Sequence, residues 1–164
     1  MKRIAAMLMA FALAVSTGLS INAVAAEQDK AEQVIYRAGT QTPLKGAPNI
    51  FTGNVRVDPW YPVGNGMRSV GASVTFEPGA RSNWHTHPVG QALIVTSGVG
   101  LTQEWGKPIQ EIRPGDVIVC PAGVKHWHGA TPNSSMTHIS IAEDKDGVCV
   151  EWLEKVTDEQ YGGK

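Results

Sequence analysis

The stretch "GARSNWHTHPVGQALIVTSG", Gly79 to Gly98, decides the fold. It carries two histidines two positions apart, His85 and His87, then Gln91 and an apolar run, with a glycine at either end. Side chains at i and i+2 of a strand share a face about 7 Å apart, so the two imidazoles converge on one point where the strand bends. A second pair with the same spacing, His126 and His128, stands in "KHWHGA", and the remaining histidine is His138. All five fall within 54 positions of a 164-residue chain, and such clustering asks for a cause. If the sheet closes or folds over, one face of each pair looks into the same cavity. Three imidazoles and one oxygen donor suit divalent Mn, Fe, Co, Ni, Cu or Zn.

Outward from this stretch the chain reads as short strands. Val70, Ala72, Val74 and Phe76 alternate with Ser69, Gly71, Ser73 and Thr75, the period-two signature of a half-buried strand. Further on, "SGVG", "RPGD", "CPAG" and "TPNSS" mark turns among "QALIVT", "LTQEW", "DVIVC", "HWHGA" and "MTHISIAE". This pattern predicts an all-β sandwich or barrel. "DPWYPVGNGM", residues 58–67, reads as a loop leading into the first clear strand, and "VEWLEKVTDEQY" near the end holds one or two helical turns.

The N-terminus has a different character. Lys2 and Arg3 precede twelve apolar residues, Ile4 to Val15, and "NAVAAEQ" offers small residues for cleavage, so residues 1–26 are expected to be a signal peptide. Twelve apolar residues fall short of the roughly 20 that span a bilayer. The mature chain is therefore expected in the periplasm or outside the cell, with no membrane contact after cleavage. It divides into an N-terminal arm or edge strand, residues 27–48, and one domain, residues 49–164. Loss of Lys2 and Arg3 leaves a formal charge of −3, which does not favour nucleic acid or anionic lipid. Cys120 and Cys149 would meet disulfide-permitting conditions, but Cys120 in "DVIVC" reads equally as a buried thiol.

The chain resembles a small single-domain cupin. Gly79, five residues, His85, one, His87, three, Gln91, six, Gly98 follows the first cupin motif, residues 79–98. Gly115, five, Pro121, one, Gly123, two, His126 follows the second, residues 115–130. Two departures stand out: Gln91 replaces the usual Glu, and Ala130 replaces a frequent Asn. The resemblance implies a double-stranded β-helix, or jelly-roll, barrel. Within cupins the chain is similar to the small bacterial group that includes manganese-dependent hydroxynitrile lyases. That likeness implies His85, His87, Gln91 and His126 as metal ligands and His128 and His138 as pocket residues. Mn(II) is the metal expected, with Fe(II), Zn, Ni or Co as alternatives, and a homo-oligomer, dimer or tetramer, is the assembly expected.

An amide ligand cancels none of the dication's charge, so Gln91 would leave a stronger Lewis acid than a carboxylate would. The alternative is that Gln91 only hydrogen-bonds, with three histidines and water on the metal. His128 shares the face of His126 by parity and, kept neutral beside a cation, suits a general base. For His138 a structural bond to nearby backbone is the competing reading. Trp84 and Trp127, adjacent to ligand histidines, point to the opposite face and are expected between sheets or at a subunit contact. Arg81 reads as a solvated turn residue more readily than as a binder of an anionic substrate.

The reading that joins these residues is cyanohydrin cleavage to aldehyde and cyanide. His128 and His138 would be the catalytic pair, and Ala72 and Val74 would shape the substrate pocket. A metal-dependent oxygenase and a non-catalytic periplasmic ligand- or metal-binding cupin are the rival readings.

Overall fold

The alternation in "SVGASVTF" folds as predicted into a long strand, and the turns around it set the remaining strands into two antiparallel sheets. The computed structural model describes residues 32–64 and 66–163, so the expected leader, residues 1–26, lies outside the described residues. The strands are β1 (Leu44–Lys45), β2 (Phe51–Thr52), β3 (Val55–Pro59), β4 (Ser69–Phe76), β5 (Arg81–Ser82), β6 (His85–Thr86) and β7 (Gly90–Gly98). They continue as β8 (Gly100–Glu104), β9 (Gln110–Ile112), β10 (Val117–Pro121), β11 (His126–Ala130), β12 (Met136–Glu143) and β13 (Glu151–Trp152), followed by one helical turn, α1 (Asp158–Tyr161).

The first sheet runs β1-β3-β4-β12-β7-β10 and the second β13-β6-β11-β5-β2, with β8 on the other side of β11 and β9 beyond it. β1 makes the end of the 27–48 segment an edge strand, paired to β3 through Leu44–Val57 and Lys45–Arg56. The compact unit begins at Ile35, so the latter part of that segment belongs with the domain. The expected loop at residues 58–67 starts later than its composition indicates, because Asp58 and Pro59 still pair with Ser73 and Ala72 of β4.

Apolar residues from both sheets meet in the core: Val55, Val74, Phe76, Val95 and Met136 from the first, Ala80, Ile112 and Ala130 from around the second. Two features of β7 aim its side chains. Gly90 has φ +110°, and a Cβ there would stand 2.8 Å from the Cys120 carbonyl oxygen, so only glycine lets the strand enter beside β10. Near the other end the register with β12 shifts between Thr137 and His138, leaving Thr96 as an extra residue, a β-bulge next to the site.

A second cluster corrects two expectations. Trp84 and Trp127 do leave the histidine face, yet they do not pack between the two sheets. They are buried with Val156 under the C-terminal segment, against Leu101, Ile109 and Tyr161. Arg81 is not solvated: it is 5% exposed, donates to the Val156 carbonyl at 3.1 and 3.3 Å and to the Asp158 carboxylate at 2.5 Å, and lies over the Tyr161 ring. The chain end thus covers the tryptophans, and Arg81 fastens it. Both cysteines are free, Cys120 being buried on β10.

Candidate metal centre and its cavity

His85 opens β6 and pairs across the ladder with His126, which opens β11. Antiparallel pairing places the two rings 4.2 Å apart, and His87 lies 5.2 and 5.6 Å from them. Each of the three offers Nδ1 to a main-chain oxygen: His85 to Asn83 at 2.9 Å, His87 to Cys149 at 2.5 Å, His126 to Val124 at 3.0 Å. A carbonyl only accepts, so Nδ1 carries the proton in all three and Nε2 keeps its lone pair. Holding the far nitrogen in this way is how proteins orient metal-binding imidazoles.

Gln91 comes from the first sheet, near the start of β7. Its amide nitrogen donates to Ser140 Oγ at 3.0 Å, which turns Oε1 towards His126 Nε2, 3.1 Å away. Burial pushes His126 down to about 4, so at neutral pH it is uncharged and has a single N–H. That proton cannot serve both the Val124 carbonyl and the Gln91 oxygen. A lone pair therefore faces a carbonyl oxygen, and His87 Nε2 is buried with no partner at all. Unshared pairs aimed inwards are what a cation resolves, and the donor set fits a divalent ion. Ser140 escaped sequence reasoning, although it shares the face of His138 by parity.

His128 and His138 complete the group from opposite sheets. One nitrogen from each of His85, His126 and His128 lies within 4.8 Å of the others, so this triad is a second donor set, although by ring centroids His128, at 5.2 and 6.0 Å from His85 and His126, is no nearer to them than His87. Its Nδ1 has no partner, unlike the anchored nitrogens of the other three. His138 is fully buried, and neither of its nitrogens has a hydrogen bond of good geometry, the Ile139 backbone beside it making only a weak contact. Its ring is sandwiched instead, stacked on Phe76 at 5.7 Å and edge-on to His128 at 4.8 Å. Burial, and next the neighbouring His138, hold His128 well below the ordinary imidazole range; burial brings His138 down to about 4. Burial also lowers His87, and burial together with His126 lowers His85 well below that range.

All these side chains except His126 line one cavity of about 240 Å³. Ala72 and Val74 form part of its wall, as expected, joined by Val57, Val70 and Ala142. Phe51, Cys149, Val150 and Trp152 close it from the second sheet and the segment before β13, and local patterning gave no sign of them. No lysine, arginine or carboxylate lines the space. It is an apolar chamber with imidazoles and one amide on its floor.

The chain is similar to several known proteins. A family model described as a cupin domain matches residues 72–141, which span both histidine pairs and His138. An (R)-mandelonitrile lyase from Granulicella tundricola is 54% identical over 127 residues, 77% of this chain and 97% of that protein. A cupin-like protein from Thermotoga maritima superposes with a TM-score of 0.68 at 47% identity, over 71% of this chain and 89% of that one. The polyketide cyclase RemF from Streptomyces resistomycificus shares the fold at 17% identity, with a TM-score of 0.54, over 66% of this chain and 76% of that one. Two antiparallel sheets around a histidine-lined chamber, the matching family model and the long alignment at high identity agree: the chain belongs to the cupin family.

Proposed function

We propose that this chain is a metal-dependent lyase of hydroxynitrile lyase type, cleaving a cyanohydrin reversibly to an aldehyde and hydrogen cyanide. One observation carries the reading: two buried imidazoles with unengaged nitrogens, His128 and His138, stand beside a ligand-ready cluster in an apolar cavity. The relative named (R)-mandelonitrile lyase supports the choice of reaction.

His85, His87, Gln91 and His126 hold the ion, Mn(II) in this reading. When bound, it supplies Lewis-acid charge for a substrate hydroxyl. His138, with both nitrogens unengaged, takes the hydroxyl proton on its free lone pair. The C–C bond breaks with its electron pair leaving on the cyanide carbon while the carbonyl forms. His128 faces the departing cyanide, and the proton returns from the imidazolium to give HCN. Burial keeps both rings neutral beforehand, so each offers a lone pair at neutral pH. Phe76 sets their positions, stacked on one and edge-on to the other. Ala72, Val74 and Val57 keep water away from the reacting centre.

The test is cyanide release from mandelonitrile by Mn-loaded protein, with and without oxygen. Equal rates in both atmospheres are expected. Release that needs oxygen, or none at full metal loading, overturns the lyase reading. An exported location belongs to the same proposal and is checked by fractionating cells that express the full chain.

A further inference from the structure

Six aromatic rings form a closed circuit around the cavity. Trp152 meets Phe51 at 5.6 Å between centroids, Phe51 meets Phe76 at 5.9 Å, and Phe76 meets His138 at 5.7 Å. His138 meets His128 at 4.8 Å, His128 meets His85 at 5.2 Å, and His85 returns to Trp152 at 4.9 Å. Phe76 and the three imidazoles are buried, Phe51 is half-buried, and Trp152 is 37% exposed. Trp152 is therefore the most exposed ring of the circuit.

We propose that Trp152 is the specificity-determining residue of this cavity, selecting substrates that carry a flat, uncharged aryl group. The assignment rests on the reading of the cavity as the lyase site. The indole is tilted 65° to Phe51 and 45° to His85, so between them they offer both faces and edges to an incoming ring. The remaining walls are aliphatic and carry no formal charge, and a charged substituent there would lose its hydration without compensation. Size agrees as well. An apolar cavity of about 150 Å³ admits benzene, so about 240 Å³ leaves room for a phenyl ring and a short polar head.

The backbone that carries the indole is also held from outside the cavity. Trp152 pairs with His85 across the β13–β6 ladder, Leu153 N–H donates to the Trp84 carbonyl at 2.8 Å, and Trp84 N–H donates to Glu154 at 3.0 Å. Backbone bonds fix its main chain and the Phe51 and His85 rings flank its side chain, so it acts as a wall, and its partial exposure means that trimming it removes little of the core.

The experiment compares Trp152→Ala, Trp152→Leu and Trp152→Phe with the parent on mandelonitrile and acetone cyanohydrin, with metal content measured on each preparation. For Trp152→Ala the expected result is a KM for mandelonitrile raised about tenfold, with kcat and the acetone cyanohydrin KM little changed. Trp152→Phe restores the aryl preference. Trp152→Leu keeps an apolar cover on His85 and serves if the alanine variant loses metal, with the same selective loss expected. A second readout needs no turnover: saturation-transfer NMR of benzaldehyde on metal-free protein, with transfer expected for the parent and lost in Trp152→Ala. Equal KM increases for both substrates overturn the proposal, as does an unchanged aryl KM with undiminished benzaldehyde transfer. Parent protein that binds benzaldehyde through Trp152 but releases no cyanide sinks the lyase reading alone and leaves the aryl assignment standing.

Discussion

At position 91 an amide oxygen faces the imidazole of His126 where a carboxylate would cancel one unit of a dication's charge. Gln91→Glu should bind Mn(II) at least as tightly, because an anionic oxygen is the better ligand for a borderline dication. Cyanide release should nevertheless fall, since added negative charge in a dry site opposes removal of the hydroxyl proton. Metal content and rate are read on one preparation, and faster release at full loading would remove the charge argument. The roles of His87 and His128 are separated in the same way. His87→Ala should lose metal, as its Nδ1 is anchored to Cys149 and its Nε2 points inwards unpartnered. His128→Ala should retain metal while turnover drops by about 10²- to 10⁴-fold, the usual range for a lost acid or base. Metal-free His128→Ala would instead make the His85–His126–His128 triad the binding site.

Among the elements, the long strands were legible and the two-residue ones were not. β4 announces itself by alternation, and β7 and β12 are long enough to stand out as segments between turn signals. β2, β5, β6 and β13 are too short to show a period and exist only through partners far along the chain. Spacing paired His85 with His87 and His126 with His128, and the cupin resemblance joined His85, His87, Gln91 and His126 into one set. Ser140, Phe51 and Trp152 were hidden because their relation to the site runs through pairing between distant strands. Arg81 was misjudged for the same reason: its partners Val156, Asp158 and Tyr161 come from the end of the chain. Arg81→Ala should destabilise the protein by about 1–3 kcal/mol, since it strands a buried carbonyl and uncovers the ring. Asp158→Ala, losing only an exposed carboxylate, should cost about 0–1 kcal/mol. Urea unfolding followed by tryptophan fluorescence measures both, and equal losses would show that the carboxylate, not the buried contacts, fastens the segment.

For the whole molecule, a centre that joins both sheets should appear in the unfolding temperature. His85 and His126 belong to the second sheet and Gln91 to the first, so an ion held by all three ties the sheets together. Metal at about a hundred times its dissociation constant stabilises the folded chain by roughly 2.7 kcal/mol, a rise in Tm of about 10 °C for a domain of this size. Calorimetry of chelated and Mn-reloaded protein should show that rise in the parent and none in His87→Ala. An identical Tm with and without Mn(II) would remove the metal from the account.

The bonds around β6 also set an order in time. The edge of the segment from Trp84 to His87 is completed by Cys149, Trp152, Leu153 and Glu154, which follow it by more than 60 positions. While those residues are still inside the ribosome, His87 lacks the carbonyl that orients its ring and His85 lacks the strand beside it. Synthesis runs from the other end, so nearly all of both sheets is available before the donor set can close. Closure of the donor set thereby waits on residues 149–154, which lie far along the chain from His87.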